Sequence, residues 1–496
     1  MTQLIPGETC WRTETADRVA VLVDTEAYFK ALTAAFETAR RSILILGWGF
    51  DPRTRLEPDG YDGPADRDEV GRVLLRLAAE RPELDVRLLI WRSAFPIAAS
   101  QEFFPHKARH WFKGSRVKFR LDDQVPMGAC HHQKVVVIDD RLAFCGGGDI
   151  AVDRWDTPGH LETDMRRIMP DQECHAPRHE VMMMVDGAAA RALGEHFRER
   201  WRSGTKDAPM DPPPDAGGDP WPDVAPAHFT DAKVSIVRTA PAWRKRPCIE
   251  EIRRLTLACI AEARETIYLE NQYFTSPVIT EALARRLAEP DGPEIVLITT
   301  GHAPSWFDQL TMDHARGAMV WRLRAADTYG RFRALYPTTR AGSDIIVHSK
   351  SSIFDDRIIR VGSANMNNRS FGFDTEIELA LEFEEDGERL KVAALRDRLV
   401  GHFLGYTGDA VAKARADHGG LVAAIDALNR EGRLRPIDPS RGTRLQEFLA
   451  TCHLADPADV GDSWRVWRRR ERLFRQAREQ AGGPDQASSK SITSGR

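Results

Sequence analysis

No apolar run in this chain approaches the length of about eighteen residues that a membrane-spanning helix needs. Its amino terminus, MTQLIPGETCWRTETADR, has neither the basic segment nor the apolar segment of a secretory leader, so it is expected to stay attached. The cysteines are seven and scattered (Cys10, Cys130, Cys145, Cys174, Cys248, Cys259 and Cys452), with no C-x2-C pair among them. That pattern excludes a disulfide framework and a zinc module of ordinary spacing, and it fits a reduced compartment. Cys174, His175 and His179 lie close together but have no second ligand pair, so no metal and no cofactor is assigned. An excess of one charge is missing too. Lys and Arg number 70 against 74 Asp and Glu, a net charge of -4, and nothing advertises a polyanionic partner such as nucleic acid. These absences describe a cytoplasmic or peripheral-membrane protein, expected to be a monomer. Export by a route without a signal peptide is left open.

What is present is a repeated motif. HHQKVVVIDDRLAFCGGGDI (131–150) is echoed by HSKSSIFDDRIIRVGSAN (348–365). Each copy reads H-x-K-x4-D, then six residues, then a small pair and a polar side chain. The first copy supplies His132, Lys134, Asp139, Gly146, Gly147 and Asp149; the second supplies His348, Lys350, Asp355, Gly362, Ser363 and Asn365. A lone H-x-K-x4-D arises by chance in roughly a few per cent of chains this long, but two copies with matched tails do not.

The apolar run Val135 to Ile138 reads as a strand buried on both faces. Residues two apart on a strand point the same way, so His132 with Lys134, and His348 with Lys350, should face one pocket. Asp139 and Asp355 stand an odd number of residues from their histidines, near a turn, and read as carboxylates that build the site. The glycines, Gly147 among them, let backbone approach closely. Two histidines and two lysines in one pocket suit attack on a phosphodiester. One imidazole is the nucleophile, the other protonates the leaving alkoxide, and the lysines neutralise phosphate oxygens.

The paired motifs resemble the phospholipase D superfamily. GGGDIAVDRWD (146–156), PRHEVMMMVDGAAA (177–190) and IYLENQYF (267–274) are similar to eukaryotic-type members, and the likeness covers roughly residues 10–400. The resemblance implies a bilobed α/β fold and a phosphohistidine intermediate, with His132 as nucleophile and His348 as acid; the residues alone do not order the two. It also implies acidic groups that orient the histidines. Glu180 is assigned to His132 and Glu376 to His348, with Asp374 the rival of Glu376.

With 496 residues, 42% of them hydrophobic, the chain can bury two sizeable cores. Val19 to Val23 reads as a strand, Asp24 as a helix cap, and Phe29, Leu32 and Phe36 as one helix face. Helices and strands then alternate up to the first motif. The stretch SGTKDAPMDPPPDAGGDPWPDVAPA interrupts this plan, which then restarts, with ARETIYLENQYF (263–274) aligning without a gap against ARRSILILGWGF (39–50). The expected fold is therefore α/β, two duplicated mixed-sheet lobes with pseudo-twofold symmetry, the motif strands meeting at the axis and the active site between the lobes. The boundaries are a first lobe at 1–202 (motif region 126–153), a linker at 203–231 and a second lobe at 232–404 (motif region 342–369). A C-terminal extension at 405–480 and a disordered tail at 481–496 follow. Within the extension, SWRVWRRRERLFRQAR places Trp464, Trp467 and Phe474 on one helical face among seven arginines, a pattern that fits either an anionic lipid surface or packing on the body.

Asn365 can donate to a phosphate oxygen, whereas an ionised Asp149 can only accept. The phosphate is thus expected to be held by both lysines and Asn365, with Ser363 and Gly147 lining the pocket and Asp149 bracing it or facing a cationic head group. Tyr268, Asn271, Gln272, Tyr273, Phe274 and Trp155 fit a pocket wall or simple packing. The expected activity is hydrolysis of phospholipids to phosphatidic acid and free alcohol, with transfer to other alcohols. A cardiolipin-synthase-like phosphatidyltransferase and, more distantly, a nuclease are the alternatives.

Overall fold

The computed structural model describes residues 2–58, 67–93, 105–208, 210–303, 309–438 and 456–458. Two β-rich halves are built on one plan. The first contains β1 (Arg12–Val23), β2 (Ser42–Gly47), β3 (Asp85–Trp91), β4 (Lys118–Asp122), β5 (Val135–Ile138), β6 (Leu142–Gly146), β7 (Arg178–His179) and β8 (Val181–Asp186). The second contains β9 (Phe229–Ala240), β10 (Ile249–Glu250), β11 (Thr266–Asn271), β12 (Glu294–Ile298), β13 (Phe332–Pro337), β14 (Ile346–Val347), β15 (Lys350–Phe354), β16 (Ile358–Gly362), β17 (Glu376–Glu382) and β18 (Leu434–Pro436).

All of these except β7 and β14 join one mixed sheet, in the order β18-β13-β12-β11-β15-β16-β17-β9-β1-β8-β6-β5-β2-β3-β4, with β10 on β9. Read outward from the central antiparallel β1–β9 pair, β8-β6-β5-β2-β3-β4 is repeated by β17-β16-β15-β11-β12-β13, with β10 and β18 added in the second half. The duplication is as expected, but β1 and β9, not the motif strands, lie at the pseudo-twofold. Six strands separate β5 from β15 in the sheet.

The motif strand earns its position by burial. Val135 and Val137 enter a central core shared by both halves, while Val136 and Ile138 enter the outer core of the first half. Each such side chain contributes roughly 1.5–3 kcal/mol on burial, which fixes the strand's register. The shared core also takes Ile353, Val361, Leu379 and the helices Gly187–Gly204 and Asp386–Leu404. The two halves are thus covered by one central core rather than each closing on its own.

β5 and β6 turn at Asp139-Asp140, and β15 and β16 at Asp355-Asp356, all four with φ between 51° and 55°. Positive φ at both central residues suits the twist of a hairpin, and Asp tolerates it better than most side chains. Asp139 accepts the backbone N–H groups of Arg40, Arg41 and Ser42 at 2.6–2.9 Å. Asp355 does the same for Arg264, Glu265 and Thr266 at 2.7–2.9 Å. Each carboxylate thereby clamps the helix-to-strand corner before β2 or β11. Both were expected to build the site around the histidines, but each lies at the far end of the motif strand from its histidine.

Asp24 precedes the helix Thr25–Thr38, but its side chain makes no capping bond, and its backbone sits at φ 66°, ψ 158°. Its carboxylate turns instead to buried histidines. Residues 405–438 stay on the second half, as helices Gly408–His418 and Leu421–Leu428 followed by β18, which pairs with β13. The arginine-rich segment carrying Trp464, Trp467 and Phe474 lies outside the described residues. Among the described residues, no helix is long and apolar enough to cross a membrane.

Candidate active site

Each motif histidine arrives just ahead of its strand, on a segment that pairs with the opposite half. The His132 N–H donates to the Thr375 carbonyl at 3.0 Å, and the Thr375 N–H donates to the Cys130 carbonyl at 3.0 Å. In the mirror position β14 runs parallel to β7, and the His348 N–H donates to the His179 carbonyl at 2.9 Å. These short parallel pairings set the next residues, Glu376 and Glu180, beside the histidines of the other half.

Nδ1 of His132 therefore donates to Glu376, with the two carboxylate oxygens at 2.9 and 3.0 Å. Nδ1 of His348 donates to Glu180 at 2.6 Å. The expected pairing within each half is reversed: Glu376 serves His132 and Glu180 serves His348. Asp374, the rival carboxylate, accepts the Cys130 N–H at 2.8 Å and both arms of Arg369, and does not orient His348. When the two glutamates are ionised, each ring's proton is held at Nδ1 and each Nε2 is left with a lone pair.

Glu376 is braced further by the hydroxyls of Ser363 and of Ser370, the latter at 2.7 Å. Gly147 occupies the place of Ser363 in the first half. A side chain there would meet Glu180 Oε1 at 2.4 Å and the His348 carbonyl at 2.9 Å, so this close approach requires glycine. Burial raises the Glu376 carboxyl to about 8, with the Ser363 hydroxyl opposing and Asp374 adding to the rise. Burial likewise lifts Glu180 to about 7 against the pull of Lys350 and Arg154. Burial, Lys134 and Lys350 hold His132 well below the ordinary imidazole range. Burial and Lys350, followed by Arg154 and Arg178, do the same to His348. Both imidazoles are neutral at neutral pH.

The two lysines are not equivalent. Lys134 Nζ lies 3.2 Å from Asp149 Oδ2, while Asp149 Oδ1 accepts the N–H groups of Trp48 and Gly49 at 3.0 and 3.1 Å. Against burial, Lys134 and Arg154 keep that carboxyl below its usual range. Asp149 is a brace. Lys350 Nζ instead donates to Gln272 Oε1 at 3.2 Å and to the His348 carbonyl, and among the described residues no carboxylate forms an ion pair with it. Burial, with Lys134 adding to the drop, brings Lys350 down to about 7. Asn365 Oδ1 is buried without a hydrogen-bond partner among the described residues.

Residues 35–213 match the family described as Phospholipase D, and residues 256–394 match that described as Cardiolipin synthase, PLD-like domain. The chain belongs to the phospholipase D superfamily. Among its relatives, phospholipase D1 of Schizosaccharomyces pombe is 24% identical over 87% of this chain, and phospholipase D A of Dictyostelium discoideum is 25% identical over 74%. The chain spans 38% and 33% of the length of these two proteins, about a third. Cardiolipin synthase A of Pseudomonas entomophila is 25% identical over 73% of this chain and 64% of its own. The crystal structure of phosphatidylserine synthase from Haemophilus influenzae Rd KW20 superimposes with a TM-score of 0.51 over 95% of both chains at 11% identity, a likeness of fold.

Within this superfamily frame, several site residues escaped the sequence reading. Trp48 stands 6.5 Å from the His132 ring, edge to face, and stacks on Trp91 at 5.9 Å. It occupies the repeat position of Gln272, which grips Lys350, so the gapless alignment of the two halves held the signal. Ser370 lacked any signal, because its bond to Glu376 depends on the short helix Asn368–Gly372. Tyr268, Phe274 and Trp155 are core residues. Asn271 caps the motif loop, its Oδ1 accepting the Met366 N–H at 2.9 Å.

Proposed function

We propose that the chain is a phospholipase D that cleaves the head-group phosphodiester of glycerophospholipids through a phosphohistidine intermediate. The observation that carries this reading is the pair of crossed histidine–glutamate contacts, which leave two neutral Nε2 atoms flanked by Lys134 and Lys350. His132 Nε2 forms a bond to phosphorus as the bond to the head-group oxygen breaks, and His348 Nε2 delivers the proton to that oxygen. The substrate's phosphate supplies the negative charge that lets His348 carry this proton beside two lysines. A water molecule then gives a proton back to His348 as its oxygen displaces His132, leaving phosphatidic acid. Lys350, with no carboxylate ion pair among the described residues, and Asn365 receive the non-bridging oxygens, while Asp149 holds Lys134 in place.

A second reading keeps the same residues and replaces water with an alcohol of another lipid. The match of residues 256–394 to a cardiolipin synthase domain favours it. The two are separated by vesicles of choline and ethanolamine phospholipids, with or without a primary alcohol or phosphatidylglycerol, and products resolved by mass spectrometry. Phosphatidic acid without added acceptor supports hydrolysis, and a new diester formed only with acceptor supports transfer. Turnover that persists in His132→Ala, or no lipid turnover at all, overturns both.

A further inference from the structure

Behind Glu180 lies a second constellation that the reaction does not use. Asp24, His160, His179 and His402 each aim one ligating atom at a common point, all four within 4.8 Å of one another. Asp24 follows β1, His160 lies in the loop before β7, and His179 ends β7. His402 is in the last turn of the helix Asp386–Leu404, in the other half of the chain. We propose that these four residues form a structural site for a divalent ion of the zinc class, tying the two halves together.

The outer partners set the direction of the lone pairs. His160 Nδ1 donates to Asp156 Oδ2 at 2.8 Å, and that carboxylate also accepts the Arg178 and Thr157 N–H groups. The lone pair of His160 is therefore on Nε2, facing Nε2 of His402 at 2.8 Å. His179 Nε2 donates to Glu270 Oε2 at 3.0 Å, which turns its Nδ1 toward Asp24 Oδ1 at 2.8 Å. Histidines whose outer nitrogens are held by carboxylates are the usual supporting shell of a metal site.

Asp24 gives the independent sign. Its side chain is fully buried, yet among the described residues Oδ2 has no hydrogen-bond partner, and its ion-pair neighbour is His402 Nε2 at 3.4 Å. Three nitrogens and a carboxylate oxygen match a tetrahedral set, in which ligand atoms about 2.0–2.1 Å from zinc lie roughly 3.3 Å apart. The contacts here lie on both sides of that edge: 2.8 Å between His160 and His402, 2.8 and 3.8 Å from Asp24 Oδ1 to His179 and His160, and 3.4 Å from Asp24 Oδ2 to His402. Asp24 also donates its N–H to the Glu180 carbonyl at 2.8 Å, so the ion would steady the residue that orients His348.

The full chain, grown with zinc and purified without chelator or metal-affinity resin, is expected to carry about one zinc by mass spectrometry. The chelator-stripped chain should take up Co2+ at micromolar concentration or below and show the visible absorption of a tetrahedral site. His160→Gln with His402→Gln should reduce bound metal by at least about tenfold, and Cys174→Ser should leave it intact. If the double variant does not fold, the Co2+ titration of the wild-type chain still decides. Failure of the folded wild-type chain to bind Co2+ or Zn2+ at micromolar concentration overturns the proposal and leaves a proton-linked network. Metal retained by a folded double variant overturns it as well.

Discussion

Glu376 reaches across the pseudo-twofold to His132, its two carboxylate oxygens 2.9 and 3.0 Å from Nδ1. Neither half of the chain therefore contains a complete histidine site. The duplication interlocks the two halves, since each supplies the histidine of one pair and the orienting carboxylate of the other. Glu376→Gln is expected to lower kcat by about 10²–10⁴-fold, because an amide cannot hold the same tautomer as securely. KM should change little, since both Glu376 oxygens are engaged by His132, Ser363 and Ser370 and it acts through the histidine. An equal loss through KM in steady-state kinetics would make it a binding residue instead.

The alkaline limb should belong to Lys350. Its ammonium is brought down to about 7, chiefly by burial, so it is charged below that pH and loses its proton above it. Phosphate affinity then falls as pH rises, and kcat/KM should decline above about pH 7. A bound phosphodiester favours the charged lysine, so kcat at saturating substrate should hold to higher pH. Lys350→Arg should remove the limb at some cost in rate, because guanidinium stays charged but is not an isostere. A kcat/KM profile that is the same in both proteins across this range would assign the limb elsewhere.

Asp149→Asn should not improve substrate binding. The carboxylate accepts two backbone N–H groups and faces Lys134, and an amide would turn a donor toward one of them. A stability loss of about 1–3 kcal/mol is expected, read from thermal or denaturant unfolding. A clear drop in KM with unchanged stability would show that Asp149 had been repelling the phosphate.

Asp139→Ala and Asp355→Ala should weaken folding more than chemistry. Each leaves three backbone donors at a strand corner without their acceptor, at a cost of about 1–3 kcal/mol. The folded fraction should retain kcat within about threefold of wild type. A loss of a hundredfold or more in folded protein would return these residues to the chemistry.

The repeat was readable because its signals are local. Strand alternation, the Asp-Asp turns and the matching helix-to-strand corners each depend on residues within a few positions, and both α/β halves followed from them. The histidines and lysines were readable for the same reason, through their i, i+2 spacing. The orienting pairs were not, because Glu180 and Glu376 are placed by parallel backbone pairings between segments over a hundred residues apart. Sequence proximity suggested the wrong partner for each. Asp24 looked like a helix cap by position, yet its carboxylate is claimed by histidines at 160, 179 and 402, whose convergence no spacing announces. The continuity of the sheet through β1 and β9 was hidden in the same way, since both strands lie outside the motifs.

The most direct measurement is to map the covalent adduct. An activated phosphodiester, whose leaving group needs no proton, is mixed with wild-type protein, His132→Ala and His348→Ala, quenched, and digested for peptide mass spectrometry. The account expects an adduct on His132 that accumulates in His348→Ala, where water is no longer activated, and none in His132→Ala. An adduct on His348 would reverse the roles of the two halves. No adduct in any of the three would contradict the phosphohistidine pathway.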